Sequence, residues 1–86
     1  MKVKISGFIK NTNWVKGKIG HCKFMAKIYH EKSRFGINKG RVSKLWVQSR
    51  KSKKVIIDYD REWITTPSKE NKLIFDLLMV HLEHQV

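Results

Sequence analysis

Cys22-Lys23-Phe24-Met25-Ala26-Lys27-Ile28-Tyr29 alternates without a break: Cys22, Phe24, Ala26 and Ile28 form one row, and Lys23, Met25, Lys27 and Tyr29 form the other. A period of two predicts a β-strand, because successive side chains leave a strand on opposite sides. One apolar row and one wet row point to an antiparallel sheet, since parallel sheets are covered on both faces. Upstream, Gly20-His21 is a short turn, and Trp14–Ile19 reads as a second strand with Lys16 and Lys18 on one face. Asn11-Thr12-Asn13 is turn chemistry, and in Met1–Ile9 Val3 and Ile5 alternate against Lys2 and Lys4.

Downstream, residues 30–41 read as a long basic loop, with Gly36, Gly40 and Asn38 expected to supply positive φ angles. Val42–Gln48 is a further strand in which Leu45 and Val47 face one way and Val42 and Trp46 the other. Ser49–Lys53 is a polar hairpin turn, and Lys54–Tyr59 resumes the alternation. Trp63–Thr65 reads as a short strand or an extended lead-in.

The period then changes. Thr66 at an N-cap and Pro67 in the first turn open a helix expected to run to about His84. Ile74, Leu77, Leu78, His81 and Leu82 make its stripe, and Leu73, Phe75, Met79 and Val80 widen it. So wide an apolar face needs more cover than a flat sheet gives. Either the sheet curls around the helix or a second copy covers the rest, as a homodimer through the C-terminal helix. The expected fold is α+β: an antiparallel sheet of four to five strands with one C-terminal helix packed on one face. It forms a single domain, 1–86, with the sheet over about 1–65 and the helix over about 67–84.

The charge is unevenly spread. Sixteen of the nineteen lysines and arginines fall in residues 1–57 beside one acid, Glu31, so that stretch carries +15, while residues 58–86 carry −3. A folded region so charged repels itself and suits an anionic partner. An apolar content of 41% with one proline argues for a folded chain over a disordered basic tail. The lone Cys22 makes no internal disulfide. The early apolar run breaks at Ser6 and Gly7, and no stretch approaches the ~20 apolar residues of a spanning helix. A cytoplasmic protein without a membrane partner is expected.

The expected binding surface is the side of the sheet away from the apolar rows. Lys16, Lys18, Lys23 and Lys27 project from neighbouring strands, and Lys44 joins them. At ~4.8 Å between strands and ~6.6 Å along them, these ammoniums repeat on the scale of phosphates. Either Tyr29, Trp46 and Met25 interleave with them, as in platforms that stack single-stranded bases, or Trp46 serves core or cross-strand packing, as a strand tryptophan more often does. Arg34, Lys39 and Arg41 lie among glycines that let backbone N–H groups approach a phosphate. Arg50, Lys51, Lys53 and Lys54 form a second basic tip.

Other motifs fall short. Gly17-Lys18-Ile19-Gly20 spells a GxxG clamp, but that clamp joins helices and this one joins strands. Gly36 to Ser43 is one residue short of a P-loop and has arginine where lysine belongs. His21-Cys22 and His81-x-x-His84 supply too few ligands for zinc. No cofactor or metal is expected. His21, His30, Tyr29 and Arg34 are the residue types of a small ribonuclease, but their spacing does not bring them together. Asp58 and Asp60 are expected to pair with lysines on adjacent strands, with Tyr59 and Trp63 packed under the helix.

Four blocks together carry a resemblance: Trp14-Val15-Lys16-Gly17-Lys18-Ile19-Gly20; Phe24-x-Ala26-Lys27-Ile28-Tyr29; Phe35-Gly36-Ile37-Asn38-x-Gly40-Arg41-Val42-Ser43-Lys44-Leu45-Trp46; and Tyr59-Asp60-Arg61-x-Trp63. The chain resembles, over about Trp14 to Trp63, a family of short proteins from Gram-positive bacteria and their phages. In that family a glycine usually stands at the place of Glu62. The resemblance implies a phage or mobile-element origin, hence a host-cell cytoplasm, and no activity. Nucleic acid is the expected partner. A host defence protein or ribonucleoprotein bound through the apolar helix is the alternative, and a ribonuclease the third.

Overall fold

A computed structural model describes residues 1–9 and 12–84. Six strands, β1 (Val3–Phe8), β2 (Trp14–Ile19), β3 (Cys22–Ile28), β4 (Val42–Ser49), β5 (Val55–Asp60) and β6 (Trp63–Thr65), precede one helix, α1 (Lys72–His84). Each strand pairs antiparallel with the next, so sheet order equals chain order. The sheet therefore has six strands rather than four or five. The sixth is the Trp63–Thr65 segment, which pairs through Tyr59↔Trp63 and Asp58↔Thr65. The left-handed residue in its hairpin is Arg61, at φ 62°, and not the following Glu62. Between β1 and β2, Trp14 N–H donates to Thr12 Oγ1, which itself donates to the Ile9 carbonyl. Asn11 of the expected turn lies outside the described residues.

The rows read from alternation are the rows that pack. Val15, Ala26, Leu45 and Tyr59 align across four strands, and Gly17, Phe24, Val47 and Ile57 align beside them. All face α1, whose Ile74, Phe75, Leu78 and Leu82 close the core. Gly17 leaves room in the second row. A Cβ there would run into the Lys4 carbonyl and stand 2.9 Å from the Phe24 ring. Burying a side chain such as Leu78 contributes about 2–3 kcal/mol.

Three local expectations are corrected. Val42 belongs to the core, not to the face of Trp46. Pairing runs Lys27↔Lys44 and then Ile28↔Val42, so Ser43 is an extra residue whose bulge turns Val42 inward. The helix begins at Lys72 rather than at Pro67, after a 3₁₀ turn at Lys69–Asn71. Ser68, at ψ 168°, takes the capping place instead of Thr66, and its hydroxyl and carbonyl accept from Asn71. In the basic loop, the positive φ angles fall on Asn38 and Lys39 and not on the glycines. Gly40 is there for space, because a Cβ would strike the Glu83 carboxylate.

Of the two covers expected for the helix, the sheet supplies one. Helix α1 approaches β1 at one edge of the sheet. Near the other edge, Phe75 packs at 5.5 Å on Trp63, which meets Tyr59 edge-on at 5.0 Å. At its C-terminal end α1 is fastened to β4. The Glu83 carboxylate accepts from Arg41 N–H at 2.9 Å and Val42 N–H at 3.1 Å, while Arg41 Nη1 donates to the Glu83 carbonyl at 2.9 Å. Leu73 and Val80 remain exposed on the outer side.

Candidate nucleic-acid interface

The face turned away from α1 follows from strand register. Three rows cross it: Lys4, Lys18, Lys23 and Gln48; then Lys16, Met25, Trp46 and Asp58; then Trp14, Lys27, Lys44 and Asp60. Lys16, Lys18, Lys23, Lys27 and Lys44 are thus brought onto one uncovered face, with Trp46 among them. Tyr29 joins them at the end of β3, since Lys27 Nζ stands 5.5 Å over its ring.

Three rings on this face each lie beneath a lysine. Besides Lys27 on Tyr29, Lys23 Nζ is 5.9 Å from Trp46 and Lys44 Nζ is 5.9 Å from Trp14. An ammonium over a ring face gains attraction without losing its hydration. Such stacked stems stand ordered over the sheet and keep the charge outward. The acids are confined to one border. Asp60 meets Lys44 at 3.5 Å, and Asp58 stands beside Trp46 in the register; both belong to β5. No acid lies on this face within β1 to β4.

Two concavities mark the surface. One, about 390 Å³, runs over β2 and β3 and is lined by Lys16, Lys18, Lys23, Met25 and Trp46. The other, about 300 Å³, gathers Lys2, Lys4, Lys18 and Arg50 around Gly20. The two-residue turn, with Gly20 at φ 56°, presents its carbonyl to Arg50 Nη2 at 3.2 Å. That bond holds the guanidinium beside the end of the lysine face.

The basic residues of the loop occupy three different places. The N–H groups of Arg41 and Val42, suited to an anion, already hold the Glu83 carboxylate. Arg41 Nε donates to the Tyr29 carbonyl at 2.8 Å, so its side chain braces the loop. Lys39 lies on the helix side, in a cleft with Met79 and Val80. Arg34 packs on Phe35 at 4.9 Å, with Arg61 at 6.0 Å from the same ring. His21 and His30 flank opposite ends of β3, about 25–30 Å apart, too far to share one phosphodiester. Among the described residues, no group of three His, Cys, Asp or Glu side chains is placed to hold a metal ion.

Sequence reasoning left Lys4 and Trp14 out of this face and assigned Arg50 to a separate basic tip. Trp14 was within reach, since it has the parity of Lys16 and Lys18. Lys4 and Arg50 needed the register, because their neighbours come from other strands.

The family model described as Domain of unknown function (DUF7678) matches residues 13–83, from the residue before β2 to the last but one of α1. No curated protein and no solved structure matches the chain.

Proposed function

Starting from the chain's membership of the family described as Domain of unknown function (DUF7678), which brings no activity with it, we propose that the protein binds nucleic acid through the lysine face of its sheet. Contacts to phosphate would dominate, with little reading of sequence. One observation carries this reading. Lys4, Lys18 and Lys23 stand directly opposite one another on three adjacent strands, with no acid between them. Like charges directly opposed destabilise a sheet, so the row is costly for the free protein and useful to one that meets a polyanion. A chain from Gram-positive bacteria or their phages, acting in the host cytoplasm, fits this reading.

A gel-shift series with random duplex and single strand at low and moderate salt tests it. Log K is expected to fall against log salt by about 0.9 per phosphate on duplex and about 0.7 on single strand. Absence of binding at low salt removes the proposal.

A protein partner is the second reading, supported by Leu73 and Val80, exposed seven residues apart on α1. Capture of a host protein that survives nuclease treatment would favour it, whereas loss on treatment would favour nucleic acid.

A further inference from the structure

Resting on that reading, we infer that the ligand is single-stranded nucleic acid, laid along β2 and β3 with a base stacked on Trp46. A duplex keeps its bases inside and offers a protein mainly phosphate and groove. For such a partner the rings and Met25 on this face would have no use. An unpaired strand offers both phosphates and base faces, and stacking on aromatic side chains among cations is how such strands are held.

The geometry fits that mixture. The cleft over β2 and β3, reaching Trp46 on β4, is lined both by apolar Met25 and Trp46 and by Lys16, Lys18 and Lys23. Trp46 is half-buried, with Lys23 Nζ 5.9 Å from its ring centroid, so a stacking base would take the place of that lysine's stem and leave its ammonium for the adjoining phosphate. The cleft's volume, about 390 Å³, lies within the roughly 300–1,000 Å³ of small-ligand sites.

The acids set the direction of the path. A strand crossing the sheet from β1 to β6 would run onto Asp58 and Asp60. A strand running along β2 and β3 meets cations, rings and Met25, and no acid, for about 20 Å, the length of six residues in β2. At one end it reaches the basic cleft of Lys2, Lys4, Lys18 and Arg50, which suits a phosphate. At the other it reaches Lys27 on Tyr29.

The test measures binding of an unstructured oligo-dT, the matching oligo-U and a duplex of mixed sequence, by anisotropy at low salt, together with tryptophan emission. The inference expects one of the single strands to bind more tightly than the duplex and to quench tryptophan fluorescence. Trp46→Leu should lose about tenfold in single-strand affinity, with duplex affinity unchanged, because a stacked base is worth roughly that much. Trp46→Phe keeps a ring and should retain most of the binding, which guards against a folding defect in the leucine variant. Asp58→Asn should leave the preference for single strands in place.

The outcomes separate. Duplex binding equal to or tighter than both single strands, with unquenched tryptophan, overturns the single-strand inference and leaves the broader proposal standing. Failure of all three ligands to bind at low salt overturns both. Tight single-strand binding that Trp46→Leu does not weaken overturns the stacking site.

Discussion

At the scale of single residues, burial and register decide what each side chain does. Cys22 shares its row with Phe24 and is fully enclosed. Burial pushes its thiol above the ordinary thiol range, while the nearby Arg50 pulls the other way. With the folded pKa raised, the stability linked to this proton is fully present below the unfolded thiol's pKa, about 8.5, and is lost as pH rises through the folded one. Cys22→Ala should cost about 1 kcal/mol at neutral pH. The gap between the two proteins should narrow above pH ~8.5, since only the wild type carries the linkage. Denaturant melts of both proteins across that range measure it, and a gap that widens with pH would contradict a buried thiol. Cys22 was legible as a core residue from alternation alone. Val42 was not, because the extra residue at Ser43 reverses the parity of everything before it in β4, and nothing local in the sequence marks the bulge.

At the scale of elements, the strands were legible and the helix start was not. β2 and β6 have the predicted limits, and β3 ends one residue early. Thr66 carries the usual capping chemistry, but Ser68 takes the N-terminal place of the 3₁₀ turn, where its hydroxyl accepts from the Asn71 side chain and caps no backbone N–H. The C-terminal fastening was invisible from sequence, since Glu83 and Arg41 are far apart in the chain. Helix α1 therefore ends in a dependence on one carboxylate. Glu83→Ala would leave the N–H groups of Arg41 and Val42 without their acceptor and is expected to cost about 2 kcal/mol. Hydrogen exchange should speed at those two amides before it speeds in β3. If the amides of β3 loosened equally, the contact would be part of the global core rather than a local fastening. Of the loop's basic residues, legible together by composition, Arg41 is the one that holds Glu83, through its backbone N–H and its Nη1.

At the scale of the whole molecule, the charge imbalance was legible as a quantity but not as a pattern. Composition gave +12 and its concentration before residue 58. That Lys4, Lys18 and Lys23 oppose one another, and that Asp58 and Asp60 fence the far side, follows only from pairing. This pattern sets stability against binding. Lys18 has a lysine on each side across the strands, so Lys18→Glu replaces two repulsions with two attractions. Cross-strand charge pairs of this kind should raise the thermal midpoint by about 2–4 °C in low salt. Added salt should stabilise the wild type and narrow that difference, because screening removes the repulsion that the variant no longer has. The same change places an acid at the junction of both basic clefts, so nucleic-acid affinity should fall as stability rises. Parallel melts and binding isotherms at low and high salt read both effects from one protein pair. A variant that is more stable yet binds undiminished would mean that the row is a flaw the fold tolerates. A variant that gains no stability would mean that the opposed lysines splay apart and do not repel.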